Sequence, residues 1–252
     1  MHSGITCISV NDAQWTNNEF NFRMDGSVDV WRIAISKNIL AVNDMQALLS
    51  DDEHQRATRY YQQTDRERFI ISRGALRMLL GRYLNTHARA IVFEIGADKK
   101  PFVKNGARRD IHYNTAHSGD YILIAIAKEP VGVDVECLEP MFPYQDILRH
   151  SFGHDEINCI AGSTDPLKIF YTLWTRKEAL LKATGKGIDD DMKHIPCTDG
   201  RHSVANSLIR SDNNWLITSF DVDKNYVGAL AFGRPGVNFR DLELAINHTG
   251  KP

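Results

Sequence analysis

Two adjacent β-rich runs in the middle of the chain, YILIAIA and VGVDVE, constrain the fold more than any other segment. Only Lys128-Glu129-Pro130 separates them, and so short a connection predicts an antiparallel hairpin. An amphipathic helix precedes this pair, and further helices and strands follow it without the regular strand-helix-strand alternation of a parallel sheet. This mixture of elements predicts an α+β fold.

A short helical pattern recurs at a distance of 104 residues. Ala75-Leu76 and Gly81 reappear with the same spacing as Ala179-Leu180 and Gly185. Ala-Leu pairs are also common in unrelated helices, so the pattern is weak when taken alone. It predicts a duplicated α/β unit with a cleft between two similar halves.

The distribution of charge is more informative than its total. The net charge of -2 gives no sign of a protein that binds nucleic acid or a membrane surface. Between Glu53 and Arg89, however, eight arginines stand against three acidic residues. Such a cluster suits an anionic ligand or an acidic partner protein, although a solvated helix face would also explain it.

Cysteine usage and the lack of targeting signals bear on the compartment. The four cysteines are far apart and form no CxxC pair, which argues against a zinc site or a disulfide framework. The sequence shows no recognisable signal peptide, and its longest apolar runs are too short to cross a bilayer. We therefore expect a cytoplasmic protein with no membrane partner.

The acidic residues of VGVDVE are the first candidates for chemistry. Residues two apart in a strand point to the same face, so Asp134 and Glu136 project together. Adjacent carboxylates repel each other, and a divalent cation between them relieves the repulsion. Oxygen ligands without histidine or thiol favour Mg²⁺ or Mn²⁺ over zinc. An edge strand with acids that face solvent is the alternative.

A second candidate is the helical segment WTRKEALLKATGKGI, which begins at Trp174. Glu178 and Lys182 are four residues apart and therefore share one helix face. They form either an ordinary surface salt bridge or a carboxylate ligand or base beside a phosphate-binding lysine. Gly185-Lys186-Gly187 predicts the end of the helix, and the segment lacks the GxxxxGK[ST] pattern of a phosphate-binding loop.

Two further segments carry weaker signals. His117 and Ser118 precede a strand in YNTAHSGDY, where a loop could present them to an anion, although a lone histidine is more often structural. Lys100 precedes Pro101, which favours an extended backbone at the lysine. Neither segment identifies a function when taken alone.

Four motifs, taken in order, resemble one protein family. They are Lys100-Pro101, NTAHS (114–118), GVDVE (132–136) and W…KEA…K…GKG (174–187). The chain resembles the 4'-phosphopantetheinyl transferases of the surfactin-synthetase-activating (Sfp) type, and its arginine-rich helix is similar to theirs. The resemblance spans roughly residues 50 to 190, and the last two motifs at this separation are highly specific.

The resemblance implies a reaction and an architecture. The enzyme would move the 4'-phosphopantetheine arm of coenzyme A to a serine of an apo acyl or peptidyl carrier protein and release adenosine 3',5'-bisphosphate. Proteins of this family and length are pseudo-dimers of two α/β halves, with the active site in the cleft between them. We expect a monomer with an N-terminal half at residues 1–118 and a C-terminal half, which carries the metal-binding motifs, at 119–252.

The resemblance also assigns roles to single residues. Asp134, Glu136 and Glu178 match the ligands of Mg²⁺, and Glu178 matches the base that takes the serine proton. Lys182 matches a catalytic contact to phosphate. The other residues that match contacts to the phosphates of coenzyme A are Arg56, Arg73, Lys100 and His117.

Two positions depart from the family pattern. Ala116 stands where the family usually has serine, which removes a hydroxyl contact to phosphate, and Lys99 stands where it usually has glycine. Both departures are expected to alter coenzyme affinity rather than abolish activity. Two other functions use the same residues: a Mg²⁺-dependent phosphohydrolase of a nucleotide-like substrate, and an inactive module that binds carrier proteins. The intact acids count against the inactive module.

Overall fold

The computed structural model describes residues 1–17, 22, 25–96, 100–104 and 111–244. The strands in these ranges are β1 (His2–Val10), β2 (Val28–Ala34), β3 (Phe93–Ile95), β4 (Pro101–Val103), β5 (His112–Ser118), β6 (Tyr121–Ala127), β7 (Val131–Cys137), β8 (Gly200–Ala205), β9 (Trp215–Asp223), β10 (Tyr226–Phe232) and β11 (Val237–Asp241). The α-helices are α1 (Ile35–Asn38), α2 (Val42–Ala47), α3 (Asp51–Thr58), α4 (Gln63–Leu84), α5 (Leu148–Ser151), α6 (His154–Ala161), α7 (Pro166–Thr184) and α8 (Asn206–Ile209).

Two larger sheets form the centre of the molecule. One has the strand order β7-β10-β9-β1-β8, and the other has the order β11-β2-β6-β5. The strands β3 and β4 pair with each other and form a separate two-stranded sheet. The predicted hairpin of β6 and β7 is wrong, because β6 pairs with β2 and β5 while β7 pairs with β10. The short connection between β6 and β7 therefore carries the chain from one sheet to the other.

Each sheet carries one long helix on its outer face. The side chains of α4 share an apolar cluster with one face of β2 and β6, and α7 shares a cluster with β1, β9 and β10. The opposite faces of the two sheets meet in a third cluster, which includes Val30, Leu123 and Val133. The α+β class and the two similar halves are thereby confirmed, and the repeated Ala-Leu pairs are buried where each helix packs on its sheet.

The first and last strands of the described chain each belong to the sheet that is formed mainly by the other half of the chain. β1 lies between β8 and β9 in the five-stranded sheet, and β11 pairs in parallel with β2 in the four-stranded sheet. The predicted division at residues 118 and 119 falls in the turn that joins β5 to β6, and it stays a prediction. Among the described residues, no helix has the length and apolar character needed to cross a membrane.

Candidate active site

Close packing of α7 on β7 brings the two acidic motifs together. A Cβ atom on Gly132 would lie 3.0 Å from the Cα atom of Ala183, and closer still to the amide nitrogen of Ala183 and the carbonyl oxygen of Ala179. Only glycine permits this approach, because real Cβ atoms essentially never come that near. Since residues two apart share a strand face, Asp134 also faces α7.

The carboxylates of the two motifs meet around one lysine. Asp134 is buried, with 4% of its surface exposed, and its Oδ1 atom accepts a hydrogen bond of 2.6 Å from the Nζ atom of Lys182. The same Nζ atom lies 3.5 Å from Oε2 of Glu178. Glu136 is half-buried on the same strand. The pair formed by Glu178 and Lys182 is therefore part of a partly buried cluster and not an ordinary surface salt bridge.

Burial and mutual repulsion shift the proton affinities in this cluster. Burial raises the pKa of Asp134 to about 7, and the charge of Glu178 adds to the shift although Lys182 opposes it. Burial and Glu178 also raise the pKa of Glu136, against a hydrogen bond from Ser118. Burial would lower the pKa of Lys182, but Asp134 and Glu178 outweigh that effect and the pKa is raised.

The acids have the donor chemistry of a site for a hard cation. The Oδ2 atom of Asp134 is buried and makes no hydrogen bond in the described part of the chain. A buried carboxylate oxygen without a donor is costly, and a bound cation would satisfy it. Three carboxylates without histidine or thiol suit Mg²⁺. Within the described ranges, no group of three or more potential ligands stands ready-made for a metal, and Lys182 lies against Asp134 and Glu178.

A cavity of about 450 Å³ lies on the other side of β5 from the acids. Three of the residues predicted to bind coenzyme phosphates, Arg56, Arg73 and His117, line it. Sequence reasoning did not single out four other lining residues, Tyr60, Arg68, Ser72 and Thr115. The helical spacing of Arg68 and Ser72 on α4 was the available signal, because residues four apart share a helix face. Residue Lys100 does not line this cavity.

Arg73 is held rigidly in the wall of the cavity. Its Nε atom is bonded to Glu53, a buried acid that also accepts a 2.6 Å hydrogen bond from Arg77. Its guanidinium carbon lies 3.8 Å from the centre of the Phe93 ring. Burial opposes the charge on Glu53, but the two arginines hold the pKa of its carboxyl below the usual value. Arg56, in contrast, is exposed and stacks over Phe69 at 5.1 Å.

Two successive residues of β5, His117 and Ser118, contact the cavity and the acidic cluster respectively. Burial lowers the pKa of the His117 imidazole, and the charges of Arg68 and Lys182 lower it further. The neutral ring is therefore favoured until an anion binds beside it, and a bound anion would favour the protonated ring. The next residue, Ser118, donates a 2.9 Å hydrogen bond to Oε2 of Glu136. The strand β5 thus contacts both the cavity and the acids.

Lys100 reaches the end of α7. Its Nζ atom donates hydrogen bonds to the carbonyl oxygens of Val131 at 3.1 Å and Ala183 at 3.0 Å. A cation at this position stabilises the carbonyl end of a helix and joins α7 to the start of β7. The predicted contact of Lys100 to phosphate stays a prediction. Lys99, the second departure from the family pattern, lies outside the described residues, whereas Ala116 is buried in the cluster between the sheets.

Two cations on α7 serve the scaffold. Lys177 is fully buried, pairs with Glu156 at 2.8 Å and donates to the carbonyl oxygens of Met192 and Ile195. Arg176 is also buried and donates to Ser219. These contacts anchor the helix at the residues directly before Glu178, which lies one turn before Lys182. The helix ends as predicted, with Gly185 in the left-handed conformation at φ +74°.

An arginine-lined cavity beside a partly buried carboxylate cluster is the arrangement of an enzyme that handles a phosphorylated substrate. Comparison with known proteins gives the family. The model of the 4'-phosphopantetheinyl transferase superfamily matches residues 130–231, and the model of the 4'-phosphopantetheinyl transferase N-terminal region matches residues 38–129. The two matches meet in the connection between β6 and β7.

Individual relatives agree with the family models. The chain is 34% identical to the 4'-phosphopantetheinyl transferase HetI of Nostoc sp. over 169 residues, which is 66% of this chain and 71% of HetI. It is 25% identical to 4'-phosphopantetheinyl transferase Sfp of Bacillus subtilis over 194 residues, 75% of this chain and 84% of Sfp. It is 39% identical to the slr0495 protein of Synechocystis sp. over 153 residues, 60% of this chain but only 62% of that protein. The chain belongs to the 4'-phosphopantetheinyl transferase family.

Proposed function

We propose that this protein transfers the 4'-phosphopantetheine group of coenzyme A to a serine hydroxyl of an apo acyl or peptidyl carrier protein. The observation that carries the proposal is the meeting of Asp134, Glu178 and Lys182 where α7 packs on β7, beside Glu136. The arginine-lined cavity on the far side of β5 supplies the adjacent space for an anionic substrate. Membership of the family supports the same reaction.

The cavity supports the binding of coenzyme A through its phosphates. Arg56, Arg73 and His117 place positive or protonatable groups around one space. Planar guanidinium groups bind phosphate through paired hydrogen bonds, and Arg56 is exposed and available for such a contact. Lys182 would contact the diphosphate from the side of the acids, and Lys100 would reach it only by leaving its two carbonyl partners.

The reaction is a displacement at phosphorus. The serine oxygen of the carrier attacks the phosphorus atom that bears the pantetheine. The bond from this phosphorus to the oxygen that bridges the diphosphate breaks, and adenosine 3',5'-bisphosphate leaves with that oxygen. The serine proton passes to Glu178, either directly or through a water molecule; the route through water is chemically easier for a carboxylate whose proton affinity a cation lowers.

Asp134, Glu136 and Glu178 would hold Mg²⁺, which when bound would supply positive charge that stabilises the leaving group. Lys182 would add a second positive charge to the same place, since its ammonium already lies against two of the acids. Mn²⁺ has the same preference for oxygen ligands and is the expected substitute. We also infer that the enzyme acts as a monomer in the cytoplasm, and the four free thiols are in keeping with a reducing compartment.

The test is incubation of the protein with coenzyme A, Mg²⁺ and a panel of apo carrier proteins, followed by mass spectrometry of the carriers. The expected result is the gain of one phosphopantetheine on the serine of at least one carrier. Excess EDTA should abolish the gain, and added Mg²⁺ should restore it. An unchanged carrier beside hydrolysed coenzyme A would instead identify a phosphohydrolase. Unchanged carrier and unchanged coenzyme would leave only a binding module.

A further inference from the structure

The edges of the two sheets meet at β5 and β7 without a backbone ladder. β5 is the last strand of its sheet and β7 is the last strand of the other, and within the described residues no backbone hydrogen bond joins them. The amides of an edge strand need partners when the strand is buried. At this junction the partners are two side chains of β5, Asn114 and Ser118.

Both contacts flank the acidic residues of β7. The amide of Val133, one residue before Asp134, donates a 2.8 Å hydrogen bond to Oδ1 of Asn114. The amide of Cys137, one residue after Glu136, donates a 3.1 Å hydrogen bond to Oγ of Ser118. β7 is therefore held at two points four residues apart, with both strand acids between them.

Ser118 makes a further contact that acts on an acid directly. Its hydroxyl accepts from the amide of Cys137 and donates its own proton to Oε2 of Glu136 at 2.9 Å. A hydroxyl has one proton to donate, and the accepted amide bond directs that proton towards the carboxylate. The hydroxyl thus fixes the orientation of the Glu136 carboxylate.

The two faces of β5 have separate tasks. Thr115 and His117 line the arginine cavity, whereas Asn114 and Ser118 hold β7. Ala116 shares the second face and is buried with the apolar residues of β7. The alternation follows from the period of two in a strand. One strand therefore fixes the distance between the cavity and the acids.

We propose that Asn114 and Ser118 are positioning residues that set the geometry of the acids on β7 for the metal ion of the transfer reaction. This inference rests on the proposed function, because it assigns Asp134 and Glu136 to a metal site. Partners that orient metal ligands typically contribute about 10–100-fold to metal affinity or activity. Neither Asn114 nor Ser118 lines the arginine cavity, so the coenzyme should bind to the variants almost as it does to the wild type.

The experiment compares Ser118→Ala with Ser36→Ala. Ser36, in α1, also donates a hydrogen bond to a carboxylate, at 2.6 Å to Oδ2 of Asp120, which lies in the turn that follows Ser118. Its partner is not one of the acids assigned to the metal. Both variants lose a hydroxyl that donates to a carboxylate near the end of β5, so a difference between them reports the contacts of Ser118 with Glu136 and the amide of Cys137.

Three readouts are measured on the full chain. Hydrogen exchange should accelerate at the amide of Cys137 in Ser118→Ala, and at that of Val133 in Asn114→Ala. Binding of Mn²⁺, followed by electron paramagnetic resonance with coenzyme A present and no carrier protein, should weaken by about 10-fold or more in Ser118→Ala. In the transfer assay the Mg²⁺ concentration for half-maximal rate should rise by a similar factor, while KM for coenzyme A changes by less than about twofold.

The outcomes separate this inference from the proposed function. Mn²⁺ affinity of Ser118→Ala within twofold of the wild type overturns the inference, whether or not the wild type transfers phosphopantetheine. A raised KM for coenzyme A with unchanged metal dependence also overturns it, because Ser118 then belongs to the coenzyme site. An equal loss of Mn²⁺ affinity in Ser36→Ala identifies a general effect on the turn and refutes a specific role for Ser118. Failure of the wild type to modify any carrier rejects the proposed function instead.

Discussion

The contact between β7 and α7 at Gly132 makes the sharpest prediction for mutagenesis. Replacement of Gly132 by alanine adds one methyl group against the backbone of α7. The new atom would lie 3.0 Å from the Cα atom of Ala183, whereas ordinary contact begins at 3.4 Å. Even this loosest of the three contacts requires α7 to retreat by about 0.4 Å, and the two contacts to Ala179 and the amide of Ala183 require more.

Such overpacking costs about 1–3 kcal/mol of the free energy of unfolding, which lowers Tm by roughly 2–12 °C in a chain of this length. The retreat also separates Lys182 and Glu178 from Asp134. Misplacement of reacting groups by part of an ångström to one ångström reduces rates on the order of 10–100-fold. The assay measures Tm by thermal unfolding and kcat/KM for transfer to a carrier protein.

Gly233→Ala is the matched control, because a Cβ atom there meets its nearest neighbours at 3.5 and 3.8 Å. This variant should keep both Tm and kcat/KM. Retention of the wild-type Tm and kcat/KM by Gly132→Ala would refute the argument that glycine sets the approach of α7 to β7. A lowered Tm with an unchanged kcat/KM would show that the close packing at Gly132 contributes to stability but does not set the positions of the acids.

Three further perturbations test the site and its support. Glu178→Gln should lower kcat by about 10²–10⁴-fold with an unchanged far-ultraviolet circular dichroism spectrum, because it removes a base and a metal ligand; Glu139→Gln, at an exposed acid, should retain activity, and near-normal turnover of Glu178→Gln would reject its assigned role. Arg56→Glu should raise KM for coenzyme A at least about 10-fold through repulsion of phosphate, whereas Arg59→Glu, exposed but outside the cavity wall, should not; equal KM values in both variants would remove Arg56 from the coenzyme site. The pKa of Glu53 in the folded state lies below its usual value of 4.5, so the stability it contributes is complete above that pH and is lost as the pH falls through the folded-state pKa. The difference in Tm between wild type and Glu53→Gln should therefore narrow in acid, and a constant difference across the acid range would contradict that linkage.

Local pattern is sufficient to predict which of the acidic residues share a face of their strand or helix. The alternation in VGVDVE placed Asp134 and Glu136 on one strand face, and the spacing of four residues paired Glu178 with Lys182. Both patterns depend only on the geometry of a single element. That the two faces meet was supplied by the family resemblance, since the strand and the helix are about 40 residues apart in the sequence.

The pairing of the strands could not be predicted in the same way. The sequence of β6 and β7 allows a hairpin, but β7 pairs with β10, so that Asp134 lies opposite Ala229. The partner of a strand is selected by packing over the whole fold, because both candidate ladders offer equivalent backbone hydrogen bonds. Similarly, nothing in the local sequence distinguishes the buried Lys177 from an exposed lysine on the same helix.

The contacts of individual basic side chains also could not be predicted from the local sequence. The motif of Lys100 predicts a contact to phosphate, which stays a prediction, whereas its bonds to Val131 and Ala183 depend on where α7 ends in space. Arg68 belonged to the recognised arginine cluster, and only its position on the cavity wall distinguishes it from its neighbours. Composition identified the cluster, whereas the fold selects the members that face a ligand.

The exchange of β1 and β11 between the sheets makes the two halves inseparable as folding units. A chain cut in the connection between β6 and β7 would yield an N-terminal fragment without β11 and a C-terminal fragment without β1. Each fragment would leave one of its sheets with a missing strand that only the other fragment can donate. Such fragments should complement each other when mixed, and activity would then report that the pieces have reassembled.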